Sequence, residues 1–291
     1  MQAKVAIVSL QMNLEWTETQ RHRLVELGAD PQHLHRSFTD NAGRNRCFQE
    51  LSGALVAGQK QRLAALRDTH RRPALRRLES DLVGALTGAG FVEVTTPIIM
   101  SRGHLEHMSV MSDNPLTKQI YWLDDAHCLR PMLAPHLYYV VKDLLRLWPK
   151  PVRIFEVGPC FRKESDGARH STEFTMLNLC EFGLPEEGRE ARLKALADLV
   201  TSTAGITDCR IVAEESKVYG STLDVVDSKS GLELGSGAMG PHPLDRAWGI
   251  TEAWVGIGFG LERLLMTASG GESLARFGRS LSYQDGARLN L

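Results

Sequence analysis

Leu75, Leu78, Leu82 and Leu86 recur at spacings of three and four between Pro73 and the glycines at 88 and 90. On a 3.6-residue period this makes one apolar stripe, so an amphipathic helix is predicted over 73–87, with proline in its first turn and glycine at its stop. The pattern then changes. FVEVTTPIIM (91–100) is β-branched and starts with a period of two, which reads as a strand interrupted at Pro97, where no ladder donor is required. Further strand patterns occur at 120–123, 152–158, 173–183, 222–227, 232–240 and 254–260, with helical patterns at 135–147, at 188–204 and from Leu261 onward. Ahead of this mixed region the chain reads as helical. Thr17 and Gln20 have capping-box spacing before a helix through Leu24 and Leu27 to Gly28, and a second helix is predicted from near Ser37 past Leu63 and Leu66, broken near Gly53 or Gly58. Consecutive strands joined by hairpin-length loops predict an α+β fold: an antiparallel sheet flanked by helices over 71–291, preceded by a helical extension over 1–70.

With 291 residues and 43% hydrophobic content, the chain is long enough for one large domain or a domain with an appendage. No apolar run approaches the roughly 20 residues that span a bilayer. The opening MQAKVAIVSLQM carries no small-residue cleavage site, so a cytoplasmic protein without membrane contact is expected. Cys47, Cys128, Cys160, Cys180 and Cys209 are odd in number, scattered and without a C-x-x-C pair, which predicts reduced thiols and argues against a zinc knuckle. His33/His35 and His104/His107 lack a completing ligand cluster and read as surface histidines. The formal net charge of −1 conceals one strongly basic stretch, in which Lys60, Arg62, Arg67, Arg71, Arg72, Arg76 and Arg77 stand against Asp68 alone.

In Phe161-Arg162-Lys163-Glu164, a period of two puts Arg162 and Glu164 on one strand face and Lys163 on the other. A guanidinium forks onto two phosphate oxygens, and a carboxylate beside it accepts from a purine amino group. Alone, such a pair is most often a surface ion pair. GIGFGLERLLM (256–266) adds three alternating glycines that let a ligand approach a strand, followed by a helix start bearing Arg263. This is neither a Walker loop nor a dinucleotide fingerprint. In order and kind, helix–strand–Pro97, Phe161–Glu164 and Gly258–Arg263 resemble the three signature motifs of class II aminoacyl-tRNA synthetases.

Within that class the resemblance is to the pyrrolysyl-tRNA synthetases. It is carried by LRPMLAPHLY (129–138), RKESDGARHSTEFTMLNL (162–179), VYGSTLDV (218–225) and the final RSLSYQDGARLNL, and runs from about Trp16 to Leu291. It is nearest the bacterial form, whose catalytic protein is encoded apart from a small tRNA-binding protein. The resemblance implies an ATP site of Arg162, Lys163, Glu164, His170, Phe174, Glu233, Ser236, Gly260 and Arg263. Arg162 would hold the α-phosphate, Glu164 the adenine amino group, and Phe174 and Arg263 the base, with His170 near the triphosphate and Glu233 and Ser236 at Mg²⁺; Arg162, Arg263 and Glu233 would carry the chemistry. It also implies an amino-acid pocket of Ala134, Leu137, Tyr138, Val141, Asn178, Cys180, Tyr219, Ala238 and Trp254. Such a pocket suits a long aliphatic stem with a bulky ring, and the Asn178 amide would be left unsatisfied by phenylalanine. For Leu137, Val141 and Cys180 plain core packing is the alternative. The chain departs from the family pattern at His136, commonly Asn, at Ser171-Thr172, commonly Leu-Glu, and in the small side chains of Gly235–Met239.

The implied reaction is activation of pyrrolysine, or a related lysine derivative, by ATP with Mg²⁺, and its transfer to an amber-decoding tRNA. Lys60, Arg62, Arg67, Arg71 and Arg72 are the expected tRNA contacts. A homodimer built on the 73–97 region is expected, as is a separate small tRNA-binding protein acting in trans. Two other readings remain open: a synthetase-like ligase acting on a small acceptor, which has no use for the basic stretch, and a tRNA-binding paralogue without chemistry, which would be expected to lose at least one of Arg162, Glu164, Glu233 and Arg263.

Overall fold

The computed structural model describes residues 14–163, 171–216, 218–271 and 273–291. The chain divides into two compact units, 1–71 with 281–291, and 72–280. The division falls between Arg71 and Arg72, and the last eleven residues group with the helical unit, whereas the sequence reading kept them with the sheet.

The helical unit begins with α1 (Glu18–Leu27), whose capping box between Thr17 and Gln20 is formed in both directions, and Gly28 closes it in the left-handed conformation at φ 77°. A short α2 (Pro31–Leu34) follows, then α3 (Asn41–Ala65), which starts on the Asp40 cap and not near Ser37. It passes Gly53 and Gly58 without a break. Each glycine costs roughly 1 kcal/mol in a helix interior, which a 25-residue helix with one packed face sustains. Trp16, Leu24 and Ala29 form the small core with Phe38, Phe48 and Leu51 around them. Gln59, only 4% exposed, donates to the Leu27 carbonyl at 2.7 Å and accepts from the Arg288 N–H at 3.0 Å. With the Arg288–Glu26 ion pair at 2.8 Å, it fastens the terminal hairpin Tyr283–Gln284/Ala287–Arg288 to α1 and α3.

The larger unit opens with α4 (Ala74–Gly88), burying Leu75, Leu78, Leu82 and Leu86, each worth about 2 kcal/mol by burial. The strand predicted through Pro97 is two short pieces, β1 (Val92–Glu93) and β2 (Ile99–Ser101). After α5 (Arg102–Glu106), IYWL is not a strand: it follows a 3-10 turn (Pro115–Gln119) and contributes a single bridge from Trp122 to Cys128. β3 (His127–Leu129) pairs with β2, and α6 (Ala134–Leu147) leads to β4 (Val152–Phe161), β5 (Glu173–Phe182) and α7 (Arg189–Thr203). The chain continues with β6 (Cys209–Ser216), which the sequence reading missed, β7 (Gly220–Asp227), β8 (Glu233–Gly240), α8 (Asp245–Trp248), β9 (Trp254–Gly260) and α9 (Leu261–Ala268).

Seven strands form one sheet in the order β1-β4-β5-β9-β8-β7-β6. All neighbours are antiparallel except β1, which lies parallel to β4, so the α+β class holds with one parallel edge. Strand alternation separates two cores. Leu177, Leu179, Val255, Ile257 and Phe259 join α4, α7 and α9 on one face, while Cys180, Phe182, Ala238 and Trp254 join α6 on the other. No helix among the described residues is long and apolar enough to cross a membrane.

Candidate active site

A cavity of about 510 Å³ lies over the second face, where β5, β9 and β8 run side by side. The period of two supplies its floor: Phe174, Met176, Asn178 and Cys180 from β5, Gly256, Gly258 and Gly260 from β9, Ser236 and Ala238 from β8. Asn178 pairs in register with Gly258, and a Cβ on that glycine would come 3.2 Å from the Met176 methyl, so the bare strand keeps the floor open. α6 adds Ala134, Leu137 and Tyr138 as one wall, and Tyr219 and Trp254 close the same end. At the other end stand Arg162, Phe174, Glu233 and Arg263.

The polar side chains at that end are held in place. Arg162 Nε donates to the Pro131 carbonyl at 2.9 Å, and its guanidinium carbon lies 5.3 Å from the Phe174 ring centroid. Arg263 donates to the Glu233 carbonyl oxygen at 3.1 Å and lies 3.5 Å from its carboxylate. Ser236 Oγ donates to Asp224 at 2.6 Å. Glu262, buried at the first turn of α9, accepts the Thr175 N–H at 2.9 Å; burial raises its pKa and that hydrogen bond opposes the rise. At the apolar end, Asn178 Nδ2 donates to the Ile257 carbonyl at 3.1 Å. Burial pushes the Tyr138 and Tyr219 hydroxyls and the Cys180 thiol well up, so all three are neutral at physiological pH.

Arg162 falls just past the end of β4 and not within a strand as its spacing suggested, and β4 carries a buried polar network. Arg130 and Glu156, both 2% exposed, pair at 2.7 Å. Thr96 Oγ1 donates to the other Glu156 oxygen at 2.7 Å and accepts from Arg130 at 3.1 Å. Its single hydrogen being used, it accepts from His136 Nδ1 at 3.2 Å. This ties the segment before Pro97 to β4 and α6 together. Breaking one member of such a buried network costs about 3–5 kcal/mol, far more than a surface pair.

Of the sequence-predicted residues, Ala134, Leu137, Tyr138, Asn178, Cys180, Tyr219, Ala238 and Trp254 share one cavity with Arg162, Phe174, Glu233, Ser236, Gly260 and Arg263. Val141 does not line it: one turn of about 5.4 Å beyond Leu137, it is wholly buried in the core around α6. Lys163 is also outside it, exposed, with Nζ 5.5 Å from the Tyr121 ring and its N–H on the Gln119 carbonyl at 2.7 Å. Glu164 and His170 lie outside the described residues. Lys60, Arg62, Arg67 and Arg71 are exposed on the helical unit and Arg72 on the larger one. Arg67 is engaged by Asp68 at 2.7 Å, and Arg72 by Ser80 at 3.0 Å. His104, read as a surface histidine, is half-buried beside His136 and Trp248. Sequence reasoning missed Met176 and Asp224, both recoverable by stepping two residues along strands from Asn178 and Thr222. It also missed Leu116, in the 3-10 turn, and Met132, in the irregular segment before α6.

A family model described as the phenylalanyl tRNA synthetase beta chain CLM domain matches residues 61–221. The histidine--tRNA ligase of Methanosarcina acetivorans is 27% identical over 143 residues, 48% of this chain and 33% of that protein. The threonine--tRNA ligase of Ralstonia nicotianae is 32% identical over 97 residues, 32% of this chain and 15% of that protein. The chain therefore matches a third or less of these curated relatives' length. Solved structures match far more of it. The crystal structure of pyrrolysyl-tRNA synthetase from Desulfitobacterium hafniense is 50% identical with a TM-score of 0.91, covering 96% of this chain and 100% of that one. The chain belongs to the pyrrolysyl-tRNA synthetase family of class II aminoacyl-tRNA synthetases. A second structure, of Desulfitobacterium hafniense PylSc, agrees at 49% identity and a TM-score of 0.89, over 96% of this chain and 99% of that one. The family-model match ends at residue 221, whereas these two structures cover 96% of the chain, so the broader likeness decides the family.

Proposed function

We propose that this chain activates pyrrolysine, or a related lysine derivative, with ATP and transfers it to the 3′ end of an amber-decoding tRNA. One observation carries the reading: a single cavity joins an apolar, amide-bearing end at Asn178 to a doubly cationic end at Arg162 and Arg263. The amino-acid stem and ring would occupy the first end. The nucleotide would occupy the second, its base against Phe174 and Arg263 and its α-phosphate at Arg162, with Glu164 and His170 as further contacts carried by the resemblance alone.

The first step needs no general base, because the amino-acid carboxylate is already an anion. It attacks the α-phosphorus in line, the bond to the β-phosphate oxygen breaks, and pyrophosphate leaves. Arg162 and Arg263 stabilise the charge that develops on the phosphoryl oxygens, and their fixed contacts to Pro131 and Glu233 mean little reorganisation on the way. In the second step a ribose hydroxyl of the terminal tRNA adenosine attacks the activated carbonyl and AMP departs.

Glu233 and Ser236 offer hard oxygen donors at the cationic end, with Asp224 behind Ser236, which suits Mg²⁺. Among the described residues no group of three or more His, Cys, Asp or Glu could hold a metal ion, so nucleotide phosphates would complete the coordination. Magnesium, when bound, neutralises phosphate charge.

Residues 72–280 form the catalytic unit in this reading and the helical unit, with Lys60, Arg62, Arg67 and Arg71, meets tRNA. The working form is a cytoplasmic homodimer, aided by a separate small tRNA-binding protein in trans. Pyrophosphate exchange across a panel of amino acids, with and without amber-decoding tRNA, tests the central reading: pyrrolysine-dependent exchange is expected, and exchange with another amino acid alone would overturn it.

A further inference from the structure

Asp245, the first residue of α8, is 4% exposed and lies just behind the cavity wall. Its Oδ1 accepts from the Tyr138 hydroxyl at 3.2 Å, and its Oδ2 accepts from Trp254 Nε1 at 2.8 Å and from the His242 N–H at 2.6 Å. Both aromatic donors come from elements remote in sequence, α6 and β9, and both line the cavity. The same turn reaches a third wall residue. His242 Nδ1 accepts from the Leu244 N–H at 3.2 Å, which leaves Nε2 protonated to donate to the Tyr219 carbonyl at 2.8 Å. Among the described residues Asp245 has no cation paired with it, and its buried oxygens are satisfied by these neutral donors.

The indole it holds has little freedom otherwise. Gly240 pairs in register with Trp254, and a Cβ there would fall inside the indole, so β8 leaves a slot that the ring fills. Trp254 then stacks on Phe182 at 5.5 Å and meets Tyr138 edge-on at 5.6 Å. The slot admits the ring, and the carboxylate fixes its direction.

We propose that Asp245 is a positioning residue for the amino-acid end of the cavity, fixing the Tyr138 phenol and Trp254 indole through one carboxylate and the Tyr219 backbone through His242. It touches no substrate and acts only through the walls it holds. The proposal rests on the reading of this end as the amino-acid site.

Asp245→Ala strands the phenol and indole donors and should raise the KM for pyrrolysine in pyrophosphate exchange about tenfold or more, with the KM for ATP changed less than about twofold. Asp245→Asn keeps the volume and one carbonyl oxygen, and should recover most of the loss. In parallel, the indole N–H resonance of Trp254, assigned by its disappearance in Trp254→Phe, should shift in Asp245→Ala and return towards its original position in Asp245→Asn. If the alanine variant does not fold, Asp245→Ser, whose short hydroxyl cannot reach both the phenol and the indole, carries the same two readouts. An unmoved Trp254 resonance, or equal increases in both KM values following a fall in melting temperature, overturns the proposal. Should the wild-type protein fail to exchange with pyrrolysine, the functional reading falls, and the indole resonance alone decides whether Asp245 fixes Trp254.

Discussion

The guanidinium of Arg162 lies over the ring of Phe174, 5.3 Å from its centroid, while its Nε is fixed on the Pro131 carbonyl. One side chain is thus held by a residue across the β4–β5 hairpin and by the segment before α6. Removing it by Arg162→Ala withdraws a preset donor from the charge that develops at phosphorus, and pyrophosphate exchange should fall by about 10²-fold or more. Lys163→Ala, whose side chain stands outside the cavity, should cost much less. Exchange within about threefold of wild type for Arg162→Ala would remove this residue from the reacting centre.

Asn178 and Gly258 face each other across β5 and β9, the amide beside a strand face that carries only glycines from 256 to 260. Asn178→Ala removes the only side-chain amide that lines the cavity among the described residues, and with it the group that phenylalanine cannot satisfy. The variant should lose pyrrolysine activation and gain activity toward phenylalanine-like amino acids, read as a reversal in the ratio of kcat/KM values. An unchanged ratio would show that the amide does not select the substrate.

His136 donates to Thr96 inside the Arg130–Glu156 network, and burial, with His104 and Arg130 nearby, lowers its pKa to about 4. The folded protein thus refuses a proton that the unfolded chain accepts near pH 6.5. Stability from this group is full above about 6.5, is lost progressively as pH falls towards 4, and amounts to at most about 3 kcal/mol. His136→Asn should flatten the fall of melting temperature across that window. A pH profile identical to wild type would mean that other groups set it.

Where a local pattern settles direction, the sequence was legible to the residue. The capping box at Thr17 and the leucine stripe of α4 follow from spacing alone, whereas Asn178 and Cys180 came from the family resemblance, and strand alternation explains why they share a face. Gly53 and Gly58 misled because helix propensity is a small term against the packed face of a long helix. IYWL has strand composition, yet tertiary pairing gives it one bridge, and β6 carries many polar residues and an exposed pattern that hides a sheet edge. Val141, carried into the pocket by the resemblance, sits in the core instead, the packing alternative that its residue type also allowed. The carboxylate of Asp245 was invisible for a different reason: its partners at 138 and 254 meet only when the fold is closed.

The exposed apolar side chains of Val92, Ile98 and Ile99 lie in the segment that follows α4. The resemblance to class II enzymes implies a two-fold interface built on this helix and strand, and a second copy docked there would bury these residues. Light scattering should give about twice the 32.3 kDa chain mass, and Ile99→Asp should shift it towards monomer. A 32.3 kDa particle for the wild type at micromolar concentration would contradict the dimer.

The basic stretch joins a helix end to an exposed turn, with Lys60 and Arg62 on α3 and Arg67 and Arg71 just beyond it. A phosphate backbone gathers such cations by releasing counterions, so each contact contributes to affinity and to its salt dependence alike. Because Arg67 is already paired with Asp68 and Arg72 bonds to Ser80 and the Arg76 carbonyl, Arg62→Glu and Arg71→Glu test the contact with least disturbance of the fold. Each should raise the KM for tRNA and reduce the slope of log affinity against log salt by about 1. Pyrophosphate exchange, which uses no tRNA, should stay near wild type. Equal damage to exchange and aminoacylation would assign these residues to the fold instead, and an unchanged KM for tRNA would leave them a solvated surface. A small basic protein from the same genome, added in trans, should tighten tRNA binding by wild type, and by the Arg71→Glu variant in the same proportion if its contacts are separate from those of α3.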